Sequence, residues 1–445
     1  MDTFKILPLS VTVLLLMLGV STPVDAQAPR PHSRDSNRDA RSNRTDPARK
    51  DGRTPPMGWN SWNKFNKGIS AKLIEEIADG AKKYKLDELG YRYLVIDDGW
   101  QLRELDPKGE LVPNPETFPQ GIAPVAQYVR DRGFELGIYS SPNALTCANF
   151  AGSLGHEPAH VRQFAEWGCK FVKYDYCPVR NGESGLTREQ IIDRYRAFGD
   201  SIKAHAPEIL FAICEKGWAG QISKRQLAKD SPPITSQQRR QAFDWCKGVG
   251  GIMWRTTGDI GPEWTRIMQI LDEQEGLAAL AGENAFNDPD VLEVGNGNLT
   301  EAENRAHFTL WCMLNAPLML GNDLRNIPEG VLKIITNKEV IDLNQDRLCQ
   351  QAVKVEDTGD IETFVKPLAN GDVGVCVLNR ADATQKVALN RNTLGLKKGQ
   401  AWHVRDLWEH KNLAKLTDQV HIVVPSHDVA TFRMSPITKE SNHRE

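Results

Sequence analysis

Residues 170–177 read KFVKYDYC, and they hold the first pair of side chains able to do chemistry. The run of Phe, Val and Tyr has the character of a buried strand. On a strand, side chains two apart point the same way, so Lys173 and Asp175 share a face. An ammonium beside a carboxylate favours its ionised form, which a nucleophile requires. Taken alone, a Lys-x-Asp strand end is more often a structural ion pair. Its meaning depends on what other strand ends carry.

They carry a consistent set. Trp62 follows the first apolar run, Asp97 and Asp98 end the second, and Tyr139 ends the third. Glu215 ends the fifth, Arg255 the sixth with Asp259 four residues on, and Asp288 and Asp290 belong to the seventh. Acidic clusters at five strand ends, with no Cys/His pattern for a metal, suggest hydroxyl recognition and acid/base work on a polyhydroxylated substrate. Asp97 and Asp98 together can hold two hydroxyls of one sugar. They are equally readable as a helix cap and an arginine partner, or as a Mg²⁺ site, although no phosphate-binding loop accompanies them. Two carboxylates flanking a glycosidic bond are the minimum for its hydrolysis. Asp175 is the candidate nucleophile. Asp259, on the turn Thr257-Gly258-Asp259, is the candidate acid and needs a raised pKa to hold its proton. The stereochemical outcome depends on their separation, which the sequence does not contain.

The elements that must position these residues alternate between strand and helix. Apolar runs at 91–96, 134–139, 209–214 and 251–255 read as strands, and 316–320 as the last of the series. Leu73, Ile74, Ile77, Ala78 and Ala81 recur at helical spacing, and Thr187/Gln190 and Thr300/Glu303 are capping boxes. Repeated βα units over residues 53–345, apolar on both strand faces, predict an α/β fold of the (β/α)8 TIM-barrel type. An open doubly wound sheet is the competitor, and no GxGxxG follows the first strand. Beyond residue 350 the period shortens. Two strand-like runs flank Asn370-Gly371, a strong hairpin signal, and residues 350–436 read as a C-terminal antiparallel β-sandwich domain.

Ahead of the barrel, residues 1–26 resemble a signal peptide, and residues 27–52 are too polar to bury a core and read as a disordered tether with a sequon at Asn43. The net charge of −3 argues against a nucleic-acid partner, and no segment beyond the leader is apolar enough to span a bilayer. Eight Cys with no CxxC pair form neither a disulfide scaffold nor a zinc site. No cofactor and no metal are expected.

Six stretches resemble glycoside hydrolase family 27 in the family's order: residues 54–62 (TPPMGWNSW), 96–100 (IDDGW), 152–157 (GSLGHE), 173–177 (KYDYC), 254–260 (WRTTGDI) and 287–297 (NDPDVLEVGNG). The most familiar members are α-galactosidases. The resemblance implies a retaining exo-glycosidase in which Asp175 is the nucleophile and Asp259 the acid/base. It implies a galactose pocket with Trp62 as indole wall, Asp97 and Asp98 on the 4- and 6-hydroxyls, and Tyr139, Lys173, Arg255 and Asp290 around the ring. Glu215 matches the residue near the 2-hydroxyl that favours galactose over its N-acetylamino analogue. Cys147 and Cys177 match a disulfide beside the pocket.

The sequence also departs from the family pattern. Lys67 and Gly99 stand where a second bridge would be. The family's CEWG is Cys214-Glu215-Lys216-Gly217 here, which removes one pocket tryptophan and leaves Trp218 as a substitute. A polar insertion follows at about 219–244, and Ser141-Pro142 follows Tyr139-Ser140. The expected substrate is an α-galactoside oligosaccharide, polysaccharide or glycoconjugate. A β-L-arabinopyranosidase, an α-N-acetylgalactosaminidase or a non-catalytic carbohydrate-binding barrel are the alternatives. Export to the periplasm or beyond follows from the leader.

Overall fold

The structure, a computed structural model, describes residues 53–178, 185–222 and 233–437. The expected leader, the tether and residues 223–232 of the expected insertion lie outside them. Among the described residues, no helix is long and apolar enough to cross a membrane.

Eight short parallel strands form the first layer: β1 (Met57–Asn60), β2 (Tyr93–Val95), β3 (Glu135–Ser140), β4 (Phe171–Asp175), β5 (Leu210–Cys214), β6 (Met253–Arg255), β7 (Phe286–Asp288) and β8 (Leu318–Leu320). They pair in the order β7-β6-β5-β4-β3-β2-β1-β8. The ring closes where Leu292, just past β7, bridges Leu320 in parallel. The Leu292 N–H donates to Met319 O at 2.7 Å, and the Gly321 N–H to Leu292 O at 2.9 Å. This is the (β/α)8 barrel read from the alternating pattern.

The strands are apolar on both faces because both are covered. Val95, Phe171, Leu210, Ala212, Met253, Phe286 and Met319 fill the barrel interior, while the alternate residues meet the surrounding helices. The helix Ala71–Lys83 buries Leu73, Ile74, Ile77, Ala78 and Ala81 and is capped by Ser70, whose hydroxyl accepts from the Leu73 N–H. Gly58 allows β1 to lie close to β2, since a Cβ there would stand 2.1 Å from Tyr93 O. Both expected capping boxes are present. A third, Thr235 with Gln238, starts the helix Ser236–Phe243, whose Ala242 and Phe243 are buried. The stretch read as a polar insertion therefore ends in a packed helix between β5 and β6.

The C-terminal residues form β9 (Val353–Asp357), β10 (Ile361–Pro367), β11 (Val373–Asn379), β12 (Gln385–Asn390), β13 (Trp402–Asp406), β14 (Lys411–Asn412), β15 (Gln419–Val424) and β16 (Val429–Pro436). A six-stranded sheet, β14-β13-β16-β11-β10-β9, faces the pair β12-β15 across a core including Val375, Val377, Leu389, Trp402, Ile422 and Phe432. Antiparallel β10 and β11 turn at Asn370-Gly371, with Gly371 at φ +85° as the hairpin requires.

The sandwich is fastened to the barrel. Phe364, Cys376, Leu378, Leu407 and Val429 belong to the same apolar cluster as the barrel helices. Arg305, on the helix Glu301–Met313, grips the buried Asp428 with two donors, its Nε at 2.9 Å from Oδ1. Arg405 pairs with Glu339 at 2.8 Å, and Asn337 donates to Leu407 O at 2.9 Å. Replacing Asp428 by Ala is expected to cost roughly 2 kcal/mol. That is less than a fully buried pair would lose, since Arg305 retains partial solvent contact. Thermal denaturation should show the loss, with kcat and KM unchanged; a kinetic defect at unaltered melting temperature would contradict a fastening role.

Candidate active site

Asp175 ends β4, buried, with its carboxylate at the mouth of the barrel. Tyr139, on the neighbouring β3, donates its hydroxyl to Asp175 Oδ2 at 3.3 Å. The Ser141 hydroxyl donates to Asp175 O at 2.7 Å and fixes the backbone there. Cys147 and Cys177 are joined, with Cα atoms 5.3 Å apart, so the loop after β3 is tied to the residues after β4. Oδ1 of Asp175 has no hydrogen-bond partner among the described residues. Its nearest cation is Lys216, whose Nζ lies 3.7 Å away.

Lys173 makes its direct ion pair with a carboxylate of another strand, not with Asp175. Its ammonium is turned to Asp97 Oδ2 at 2.7 Å, and Asn60 Nδ2 donates to the same oxygen at 2.7 Å. Burial disfavours the Lys173 charge, but Asp97 and more distant acidic groups outweigh that and hold its pKa above the ordinary value. Asp97 Oδ1 accepts from the Asp98 N–H at 2.9 Å, so both Asp97 oxygens already have protein donors and Oδ1 keeps room for one more. Asp98 differs. One oxygen accepts from the Ala148 N–H at 2.7 Å, and the other, Oδ1, is buried without a partner among the described residues. Burial pushes Asp98 up to about 7, against the lowering effect of Thr146 and the Ala148 amide. A buried carboxyl oxygen with nothing to accept from is costly unless a ligand hydroxyl fills the vacancy.

Arg255 organises the opposite wall. It is buried, and its Nη2 reaches Asp290 Oδ2 at 2.7 Å and Asp259 Oδ1 at 3.2 Å. Asp290 sits at φ +110°, a strained conformation for a residue with a side chain. That geometry lets its carboxylate accept from the Ile260 and Val291 amides, each within 2.9 Å, while it meets Arg255. Asp288, deeper in, is raised to about 6 by burial, with Arg255 lowering it and Asp290 raising it. Between these walls lies a pocket lined by Asn60, Lys173, Cys214, Arg255, Asp288 and Asp290 over Phe171, Met253 and Met319.

Asp259 is the exposed member, with 69% of its side chain accessible. Burial of its surroundings raises its pKa, but Lys216, 2.9 Å away, and Arg255 overcome this and hold it well below the usual carboxylate range. With Lys216 and Arg255 beside it, Asp259 is held in its ionised form, not protonated as an acid catalyst must be. Glu215 is turned inward. Its oxygens accept from the Gly217 N–H at 3.1 Å and from the Ala219 N–H, and burial lifts it to about 8. It organises its own loop, and the following residue, Lys216, is the one that projects between Asp175 and Asp259.

The ten expected residues thus gather at one end of the barrel, on seven strands and their loops. Trp62 lies in the turn of helix directly after β1, partly exposed. Trp218, expected to replace a missing indole, packs against the hydrophobic core. Asp288 was singled out at a strand end without a role, while Asn60, Cys214 and above all Lys216 were missed as site residues. The departure from CEWG at Lys216 was the available signal, though it registered only as a tryptophan lost. The sole described group of His, Cys, Asp or Glu close enough to hold a metal is Cys147, Asp175 and Cys177, and its sulfurs are bonded to each other.

The alpha galactosidase A family model matches residues 54–346, and that of the alpha galactosidase C-terminal beta sandwich domain matches residues 358–434. An alpha-galactosidase of Oryza sativa subsp. japonica is 38% identical over 86% of this chain and 85% of its own length. The crystal structure of alpha-galactosidase I from Mortierella vinacea superposes with a TM-score of 0.77 at 31% identity, covering 86% of this chain and 96% of that one. A β-L-arabinopyranosidase from Geobacillus stearothermophilus shares the fold at 20% identity and a TM-score of 0.72, covering 87% and 98%.

The state of Asp98 leads to a measurable consequence. A carboxyl whose folded pKa exceeds its unfolded value of 3.8 withdraws stability as pH rises between the two, here from about 4 to about 7. Asp98→Asn removes that dependence. Relative to the wild type, its stability should climb through this interval, by at most roughly 4 kcal/mol, and then level off. Melting temperatures taken from pH 4 to pH 8 test this; a constant difference would mean that Asp98 is not protonated in the fold.

Proposed function

The chain belongs to the alpha-galactosidase family and hydrolyses terminal α-galactosyl residues, and from that premise we propose a double displacement with Asp175 as nucleophile and Asp259 as acid/base. One observation carries the reading. A single ammonium, that of Lys216, lies 3.7 Å from Asp175 and 2.9 Å from Asp259. The two carboxylate oxygens can therefore be no more than about 6.6 Å apart, the sum of those spans, which suits retaining better than inverting enzymes.

In the first step Asp175 Oδ1, the oxygen without a hydrogen bond, attacks the anomeric carbon. Tyr139 holds Oδ2 and keeps the attacking oxygen aimed along the pocket. Asp259, having taken up a proton, delivers it to the departing glycosidic oxygen. Water then enters on the same side, Asp259 removes its proton, and attack on the galactosyl ester releases sugar with its original configuration. Asp97, Asp98, Lys173, Arg255 and Asp290 bind the ring hydroxyls, with Trp62 beside the ring. Asp98 Oδ1 is the acceptor best suited to a substrate hydroxyl, because no protein donor described here satisfies it. Glu215 acts on the sugar indirectly, through the loop it holds. The natural substrate is an α-galactoside oligosaccharide, polysaccharide or glycoconjugate. The leader-like sequence of residues 1–26 and the Cys147–Cys177 bridge support a site of action in the periplasm or outside the cell.

Asp175→Asn and Asp259→Asn are each expected to lose at least about a thousandfold in kcat on alkyl galactosides while still binding galactose. NMR of the first product formed should show α-galactose; initial β-galactose would rule out the double displacement. A galactoside with its C6 group should also be preferred to a β-L-arabinopyranoside, because the Asp97–Asp98 pair offers acceptors for that group. Faster hydrolysis of nitrophenyl β-L-arabinopyranoside than of nitrophenyl α-galactoside would overturn this preference.

A further inference from the structure

Lys216 is not needed by the chemistry just described, yet it occupies the centre of the site. It stands at φ +61°, a left-handed conformation that costs a side-chain-bearing residue on the order of 1 kcal/mol or more. Gly217 beside it is also left-handed, at φ +81°. The buried Glu215 holds this double turn by accepting from the amides of Gly217 and Ala219. The result is an ammonium projected between two carboxylates that come from other strands. The glycosidic oxygen of a bound substrate has to lie between those same carboxylates. Lys216 and a substrate therefore compete for one place.

We propose that Lys216 is a positioning residue that bridges Asp175 and Asp259 while the site is empty and arms Asp259 as an acid when an arriving galactoside displaces it. The inference rests on the roles proposed for those two carboxylates. With the ammonium in place, Asp259 faces Lys216, Arg255 and, farther off, Lys173. Lys216 in turn faces Asp175, Asp259, Cys214 and Arg255. Displacing it removes the nearest cation from Asp259, and the carboxylate then takes one proton from the medium as the leaving group settles beside it. Arg255 remains at 3.2 Å and keeps the side chain oriented through the exchange.

The test compares Lys216→Met, similar in length but uncharged, with Lys216→Arg, which keeps the charge. The quantity measured is kcat/KM against pH, which reports the free enzyme. On the alkaline side of the optimum, reaction is confined to enzyme that carries the Asp259 proton. There, Lys216→Met should gain about tenfold in kcat/KM on an unactivated α-galactosyl disaccharide for each unit by which the Asp259 pKa recovers. On 4-nitrophenyl α-galactoside, whose leaving group needs little protonation, the gain should be less than about twofold. Lys216→Arg should keep the wild-type profile. If Lys216→Met does not fold, Lys216→Gln serves in its place. A uniform loss at every pH, an equal gain on both substrates, or a Lys216→Arg profile that follows Lys216→Met would each overturn the proposal. Loss of activity in Asp175→Asn and Asp259→Asn is a separate result, so the catalytic roles and the bridging role fail independently.

Discussion

The site depends on charge compensation inside a barrel mouth. Asp97, Asp98, Asp175, Asp259, Asp288 and Asp290 converge there, and among the described residues three cations stand between them, Lys173, Lys216 and Arg255. Left uncompensated, so many buried carboxylates would repel one another and protonate. Each cation is therefore committed: Lys173 to Asp97, Arg255 to Asp290 and Asp259, Lys216 to Asp259 and, at longer range, Asp175. Where no ion pair forms among the described residues, burial prevails. Asp98 and Asp288 are lifted to about 7 and about 6. One cluster of similar side chains is in this way divided into ionised and protonatable groups, the division that acid/base chemistry on a sugar needs.

The scaffold matters because the members of this cluster are strangers in sequence. Asp97 and Lys173, which pair directly, are 76 residues apart. They meet because β2 and β4 flank β3 in a parallel ring whose C-terminal ends open on one side. The ring closes through the short Leu292–Leu320 bridge just past Asp290, the residue held at φ +110°. Strain at that position is sustained by its two amide hydrogen bonds and by Trp311, whose indole donates to Asp290 O at 2.7 Å. Closure of the barrel and orientation of one carboxylate of the candidate site are thus settled by the same few residues.

Much of this was legible in the sequence, for identifiable reasons. Strands apolar on both faces announce a covered parallel sheet, and the polar residue that ends each one is conspicuous against that run. Asp97, Asp175, Arg255 and Asp290 were found in this way. Partnerships were not legible, because spacing along a strand says which way a side chain points and nothing about the strand beside it. Lys173 and Asp175 do share a face of β4, yet the lysine is captured by Asp97 from β2. Glu215 likewise has the right chemistry for a pocket wall, but its own loop folds back and supplies two amides before any ligand can. Lys216 was invisible as a functional group because its reach depends on two successive left-handed residues, a backbone property that local sequence signals weakly.

The Cys147–Cys177 bridge has a consequence of another kind. Tyr139, whose hydroxyl steadies Asp175, also lies 3.2 Å from Cys147 Sγ, so the sulfur sits in the same small group of atoms as the candidate nucleophile. Neither cysteine belongs to the apolar core clusters, so losing the bridge would lower stability through the loop it closes while leaving the core packing itself in place. Two populations of this polypeptide, one matured in an oxidising compartment and one in a reducing cytosol, can then both be folded while differing in specific activity. For anyone producing the protein, the quantity of folded material and the number of competent sites are separate quantities, and a thiol titration is what relates them.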